Sequence, residues 1–271
     1  MPWCTAEAES DSVRVVNLLQ RGGALEKNAN LMLWYGKELI GTPYKARTLE
    51  IYPQEQLIVN MKEMDCTTFV ETVAALTLTT REGSTSYAAF RKNLQRLRYH
   101  MGRTNGYASR NHYFQWWIDS NTEMGLVREI IPTERTEQMT LDLHYMTRHA
   151  KDYPMLKDDA TAQHLIAEHE QQTSGRKVRF LPKSEVGHDS KTLGYIESGD
   201  ILVITTSKDG LDCSHIGIAV WGRDGKLHLL NASQIHKKVV VESMTLYQYM
   251  QRHTTQTGIR IVRLTANHHK Q

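Results

Sequence analysis

The chain has 271 residues, with 33 Lys plus Arg against 30 Asp plus Glu and a formal net charge of +3. So small a surplus argues against a basic stripe that neutralises a nucleic-acid backbone. An apolar fraction of 40%, with 17 Gly and 6 Pro, excludes a disordered or fibrous chain and suits one large domain or two lobes sharing a site.

The first periodic stretch, 5–20, carries Val13, Val15, Val16, Leu18 and Leu19 and meets Gly22-Gly23, which predicts an amphipathic helix. A second helix is expected over 29–40, stopped by Gly41-Thr42-Pro43-Tyr44. Two β-like runs, 48–52 and 57–60, flank Pro53 and are expected to pair as a hairpin. From Cys66 the spacing turns helical, with Phe69, Val70, Val73, Leu76 and Thr77 on one face, and 86–99 reads as a further helix. Arg91, Lys92, Arg96 and Arg98 on that helix read as a solvated face. Residues 102–154 have mixed periodicity around Tyr113, Phe114, Trp116 and Trp117 and read as an elaborated insertion, with the two tryptophans packing a core. A helix over 158–172 closes at Gly175.

Beyond Gly175 the chain turns to strands: 178–181, 200–206, 215–221, 226–231, 238–242 and 259–264, with a short helix over 246–252. Arg223-Asp224-Gly225 marks a hairpin between two of them. Helices first and an antiparallel sheet second define an α+β fold with a seam between lobes. The expected organisation is one domain over 1–271: a helical lobe at about 5–100, the insertion at about 101–175 and a β lobe at about 176–265.

Three cysteines, Cys4, Cys66 and Cys213, are too few for a disulfide framework. No run approaches the ~18 apolar residues of a membrane span. The opening Met1-Pro2-Trp3-Cys4 has no basic stretch leading into an apolar one, so no export signal is read there.

Met64-Asp65-Cys66-Thr67-Thr68 places a thiol in the first turn of a helix. Unpaired N–H groups there stabilise a thiolate and can hold the oxyanion of a tetrahedral intermediate. A thiol so activated is expected to react with iodoacetamide near neutral pH far faster than a free one. Its base is sought at the head of an apolar strand, in Asp212-Cys213-Ser214-His215. If that strand pairs with the next across Asp224-Gly225, Asn231 can lie near His215 and fix its tautomer. Ser233 and Gln234 are weaker orienters. Cys213 is a rival nucleophile without a helix N-terminus, and Cys66, Cys213 and His215 together have zinc-ligand chemistry but no paired-ligand spacing. Arg110-Asn111-His112 beside aromatics suggests a carboxylate clamp in the cleft, so that Arg110→Ala would raise KM. His268-His269-Lys270 reads as a tail.

Five blocks in order carry a resemblance: Gly41-Thr42-Pro43-Tyr44, Asp65 through Glu71, Gly199-Asp200-Ile201-Leu202, Ser214 through Ile218, and Asn231-Ala232-Ser233. The chain resembles the NlpC-type papain-like cysteine peptidases and amidases, in the branch of bacterial N-acetylmuramoyl-L-alanine amidase-like proteins. The resemblance implies a papain-like fold, with the nucleophile helix packed on an antiparallel sheet that bears the base. It implies Cys66 as nucleophile, His215 as general base and acid, and Asn231 as orienter, where many relatives carry histidine. Tyr44 matches a cleft tyrosine that assists the oxyanion or positions substrate, and Asp65 a residue that helps recognise the substrate's peptide end. The implied substrate is a peptidoglycan fragment, cut between N-acetylmuramic acid and L-alanine with a leaning towards anhydro-muropeptides. The wider superfamily mostly cuts γ-D-glutamyl bonds to diaminopimelate. A catalytically silent muropeptide-binding module and an acyltransferase are the other readings. A monomer is expected, exported or periplasmic, with no cofactor or metal, no nucleic-acid partner and no membrane span.

Overall fold

The structure is a computed structural model that describes residues 10–265. Cys4, residues 5–9 of the first expected helix and the His268-His269-Lys270 tail lie outside the described residues.

Helices α1 (Asp11–Gly23) and α2 (Leu31–Glu38) start on the side-chain caps Ser10 and Asn30. Each cap oxygen accepts from a backbone N–H of the open first turn. Helix α3 (Cys66–Arg81) is the centre of the helical half and packs against α1, α2 and α4 (Tyr87–Arg98). The sequence suggests one apolar face for α3, yet it is buried continuously from Thr68 to Thr79, the signature of a helix enclosed on all sides. Its interior hydroxyls are satisfied locally, Thr77 donating to the carbonyl of Val73 at 2.8 Å and Thr79 to that of Ala75 at 2.7 Å.

After α4 come α5 (Phe114–Glu123), β1 (Val127–Ile130), β2 (Glu137–Thr140), α6 (Tyr145–Arg148) and α7 (Ala160–Thr173). The strands β3 (Lys177–Pro182), β4 (Ile201–Thr206), β5 (Cys213–Trp221), β6 (Leu227–Ser233) and β7 (Lys238–Val241) follow, then α8 (Leu246–Gln251) and β8 (Gln256–Leu264). The sheet is antiparallel, in the order β2-β3-β8-β4-β5-β6-β7, with β1 pairing the C-terminal part of β8 beside β3. Alternation along the strands splits the core. Ile201, Val203, Ile216, Ile218 and Leu230 face the helices, while Leu202, Ile204, Ala219, Leu229 and Ile259 face α8 and the segment 186–196. The architecture is mixed helix and antiparallel sheet, and no described helix is long and apolar enough to cross a membrane.

One expectation needs correction. Residues 48–60 form no hairpin; their polar groups are taken up by side chains instead, with Arg98 donating to the carbonyl of Ile58 at 2.6 Å and Tyr99 to Glu55 at 2.7 Å. The middle of the chain, read as an insertion, contributes to both core and sheet. Phe114, Trp117 and Ile118 of α5 join the main core, and β1 is a strand of the sheet. Trp116 lies in a satellite core, stacked on His169 at 3.8 Å with its indole N–H on Thr173, which leaves neither tryptophan free for a sugar.

Candidate active site

A short strap of backbone joins the two halves. Gly41 N–H donates to the carbonyl of Val239 (2.9 Å), Val239 N–H to that of Thr42 (2.8 Å), and Tyr44 N–H to that of Lys237 (2.9 Å). On its other side the strap exchanges Met64 N–H to Pro43 carbonyl (2.9 Å) and Lys45 N–H to Met64 carbonyl (3.1 Å). Residue 64 is thereby pinned beside the β7 edge, and the next residues open α3.

Asp65 is the N-cap. Its carboxylate accepts from Thr68 N–H at 2.8 Å, and its own N–H donates to the Thr68 hydroxyl at 2.9 Å, a reciprocal capping box. Cys66 is therefore the first helical residue, half-buried and free of any disulfide. The N–H of Ile216, the residue after His215, favours its thiolate, as does Thr67. These donors lose to the surroundings: burial, and then the Asp65 carboxylate, push the thiol up to about 11. Burial thus opposes the activation expected from the helix terminus.

His215 stands beside a β-bulge. Ile204 pairs with His215 but Thr205 with Cys213, so Ser214 is the extra residue, and a bulge of this kind re-aims its neighbours' side chains. The β5–β6 register pairs Ile218 with Leu230, so one step further Asn231 faces Gly217 and reaches diagonally to His215 on the same face. Nε2 of His215 lies 2.9 Å from Oδ1 of Asn231, which leaves Nδ1 as the ring nitrogen available to another group. Burial holds His215 below its ordinary value, against the opposing pull of Asn231 and Glu242. At neutral pH the site thus holds a neutral thiol and a neutral imidazole.

Tyr44 leans over the same point. Its hydroxyl is pushed up to about 12 by burial and by Cys66 and Asp65, and so is a proton donor throughout the neutral range. Sequence reasoning missed Glu242 and Tyr249. Glu242 accepts from Nδ2 of Asn231 at 3.1 Å, and Tyr249 sets its ring 6.4 Å from that of His215. An acidic residue closing the apolar run Val239–Val241, on the strand paired with Asn231, was the available signal for the first.

The expected clamp is not assembled. Arg110 is 7% exposed, 3.4 Å from Glu50 and 3.7 Å from Glu55, and lies over the ring of Tyr107. His112 lies tilted against the ring of that tyrosine and bonds its carbonyl at 2.8 Å, with its basicity lowered by burial and by Arg110. Arg110 ties the 48–60 segment to its own loop, and His112 braces that loop at Tyr107. Arg110→Ala is therefore expected to lower the thermal midpoint by several degrees, through two uncompensated glutamates, and to leave KM per folded molecule unchanged. Thermal melts beside Michaelis kinetics check this.

Cys213 is a poorer nucleophile than Cys66: burial and the adjacent Asp212 carboxylate hold its thiol well above the ordinary range. Cys66, Cys213 and His215 do not gather as a metal set. Among the described residues, only Asp142, His144 and Asp209 bring ligand atoms within 4.8 Å of one another, and there Arg148 already pairs with Asp209 at 3.0 Å. A concavity of about 1560 Å³ lies at the far end of α3, lined by Thr80, Arg81, Arg128 and Gly199 among others, and none of the residues around Cys66 contributes to it.

The profile of the AmiA-like family, described as N-acetylmuramoyl-L-alanine amidase-like, matches residues 35–259, and the chain belongs to that family of amidase-like hydrolases. A crystal structure of an N-acetylmuramoyl-L-alanine amidase from Bacteroides uniformis is 37% identical, with a TM-score of 0.82, over 90% of this chain and 99% of the other. A Bacteroides fragilis structure described as a candidate xylanase is 39% identical, with a TM-score of 0.80, over 86% and 100%. A Legionella pneumophila protein at 21% identity shares the fold, with a TM-score of 0.71 over 93% and 94%. No curated protein matches the chain.

Proposed function

We propose that this chain is a papain-like cysteine amidase that hydrolyses the bond between N-acetylmuramic acid and L-alanine in peptidoglycan fragments, with anhydro-muropeptides preferred. The observation that carries the reading is the approach of the Cys66 sulfur to the N–H of Ile216, the residue after His215, whose Nε2 bonds Asn231 Oδ1 and so leaves Nδ1 able to accept a proton.

The chemistry follows from that pairing. Cys66 Sγ adds to the lactyl carbonyl carbon of muramic acid as its proton passes to Nδ1 of His215. Backbone N–H groups at the start of α3 and the Tyr44 hydroxyl stabilise the oxyanion. The C–N bond then breaks, the imidazolium gives its proton to the amine of L-alanine, and a muramoyl thioester remains. Water attacks the thioester with His215 as base, and the thiol is restored. Asp65, adjacent to the sulfur, meets the peptide end of the substrate. Such a substrate goes with an exported or periplasmic site of action.

The xylanase description of one relative is less well supported by the side chains. A glycoside hydrolase needs two carboxyl groups facing each other across the bond. Here Asp65 is committed to its helix cap, and the Glu242 side chain is 1% exposed behind Asn231. Incubating the protein with anhydro-muropeptides, with and without the sugar, and weighing the products tests the proposal. The expected products are free anhydro-N-acetylmuramic acid sugar and an intact peptide beginning with L-alanine. Release of a fragment beginning with diaminopimelate would instead assign the endopeptidase specificity of the wider superfamily.

A further inference from the structure

Behind the His215–Asn231 pair the hydrogen-bond chain continues. Asn231 is fully buried, with Nδ2 donating to Oε1 of Glu242 at 3.1 Å. The second oxygen of Glu242 lies 3.1 Å from Nε2 of His236, whose side chain is 45% exposed. Glu242 is itself held by its backbone, its N–H donating to the carbonyl of Leu229 at 2.8 Å. The chain thus runs from a solvent-facing ring, through a buried carboxylate and a buried amide, to the imidazole at the site.

The chemistry of each link constrains the next. A carboxylate offers acceptors only, whereas the Asn231 amide has one accepting and one donating end, and a neutral imidazole has one of each. With Glu242 behind it, Asn231 must turn its NH₂ inward, which presents Oδ1 to His215. An acceptor at Nε2 requires the proton to sit on Nε2, and Nδ1 is left with its lone pair. Reversal of the amide would set Oδ1 against the carboxylate and offer Nε2 a donor. The proton would then move to Nδ1, and that nitrogen could no longer accept one.

We propose that Glu242 is a positioning residue that selects the tautomer of His215 by fixing the direction of the Asn231 amide. Its catalytic consequence rests on the cysteine amidase reading above; the tautomer itself belongs to the resting protein.

Long-range proton–nitrogen NMR of the ¹⁵N-histidine-labelled full chain reads the two ring nitrogens of His215 directly. The unmodified protein is expected to show a single Nε2–H imidazole. Glu242→Gln, which keeps the shape but adds a donor, is expected to mix the tautomers and lower kcat at least about tenfold with KM little changed. In an Asn231→Ala background the same replacement should cost nothing more, because the link through which it acts is gone. A single Nε2–H signal retained in Glu242→Gln, or an equal loss of kcat with and without Asn231, would overturn the proposal. So would an Nδ1–H imidazole in the unmodified protein, a result that does not depend on the variants folding. If Cys66→Ala keeps its hydrolytic activity, the amidase reading falls while the tautomer assignment is judged separately.

Discussion

Replacing Cys66 with alanine is expected to lower kcat on anhydro-muropeptides by at least about 10⁴-fold, because loss of the nucleophile leaves only binding and oxyanion stabilisation. The thermal midpoint should stay close to that of the parent, since the half-buried sulfur is replaced by a good helix former and the Asp65–Thr68 cap is untouched. A variant that kept its rate would end the thioester mechanism. The same sulfur sets the pH behaviour. With the thiol near 11 the thiolate fraction at pH 7 is about 10⁻⁴, against about 3% for an ordinary cysteine. Iodoacetamide should therefore label Cys66 more slowly than free cysteine at pH 7, with a rate still climbing beyond pH 9, contrary to the rapid labelling expected from the sequence. The catalytic rate should rise only in the acid range, as His215 loses its proton below its ordinary 6.5, and then hold across neutrality. A thiolate–imidazolium pair would titrate in the opposite order, with fast labelling at neutral pH.

The second large effect concerns stability. Arg98 Nε lies 2.7 Å from Glu71 Oε2, with the two side chains 2% and 3% exposed. Arg98→Ala would leave the Glu71 carboxylate uncompensated inside α3, at a cost of about 3–5 kcal/mol. The thermal midpoint should fall by roughly 6–15 °C. Removing both partners together, as Arg98→Met with Glu71→Leu, should recover most of that loss. If Arg98→Ala melts within a degree of the parent, the buried pair carries little of the stability assigned to it.

The sequence was informative wherever the signal was local. Asp-Cys-Thr-Thr at 65–68 marks a capped helix start, and Asp224-Gly225 sets the hairpin register that carries Asn231 toward His215. The strand series from 178 onward was legible because runs of Val, Ile and Leu cross a sheet buried on both faces. Reading failed where a residue's partner is distant in sequence. Arg98 appears as one of four cations on a basic helix, yet it is the only one of the four that is buried, because Glu71 lies 27 positions away across the packing. Arg110 was offered to substrate because Glu50 and Glu55 belong to a segment expected to form strands. For the thiol the two influences differ in range: a helix terminus acts locally, whereas burial depends on everything that closes around the sulfur, and here burial is the larger influence.

The strap at 41–44 has a mechanical consequence. Three main-chain bonds join it to residues 237–239, and two more, from Met64 to Pro43 and from the neighbouring Lys45 to Met64, join it to the start of α3. A jaw stitched along its rim in this way cannot swing about the seam without breaking backbone bonds. Any motion between the start of α3 and the β7 edge therefore has to open main-chain hydrogen bonds first, and loosening this stitch is the change that would free the two halves to move.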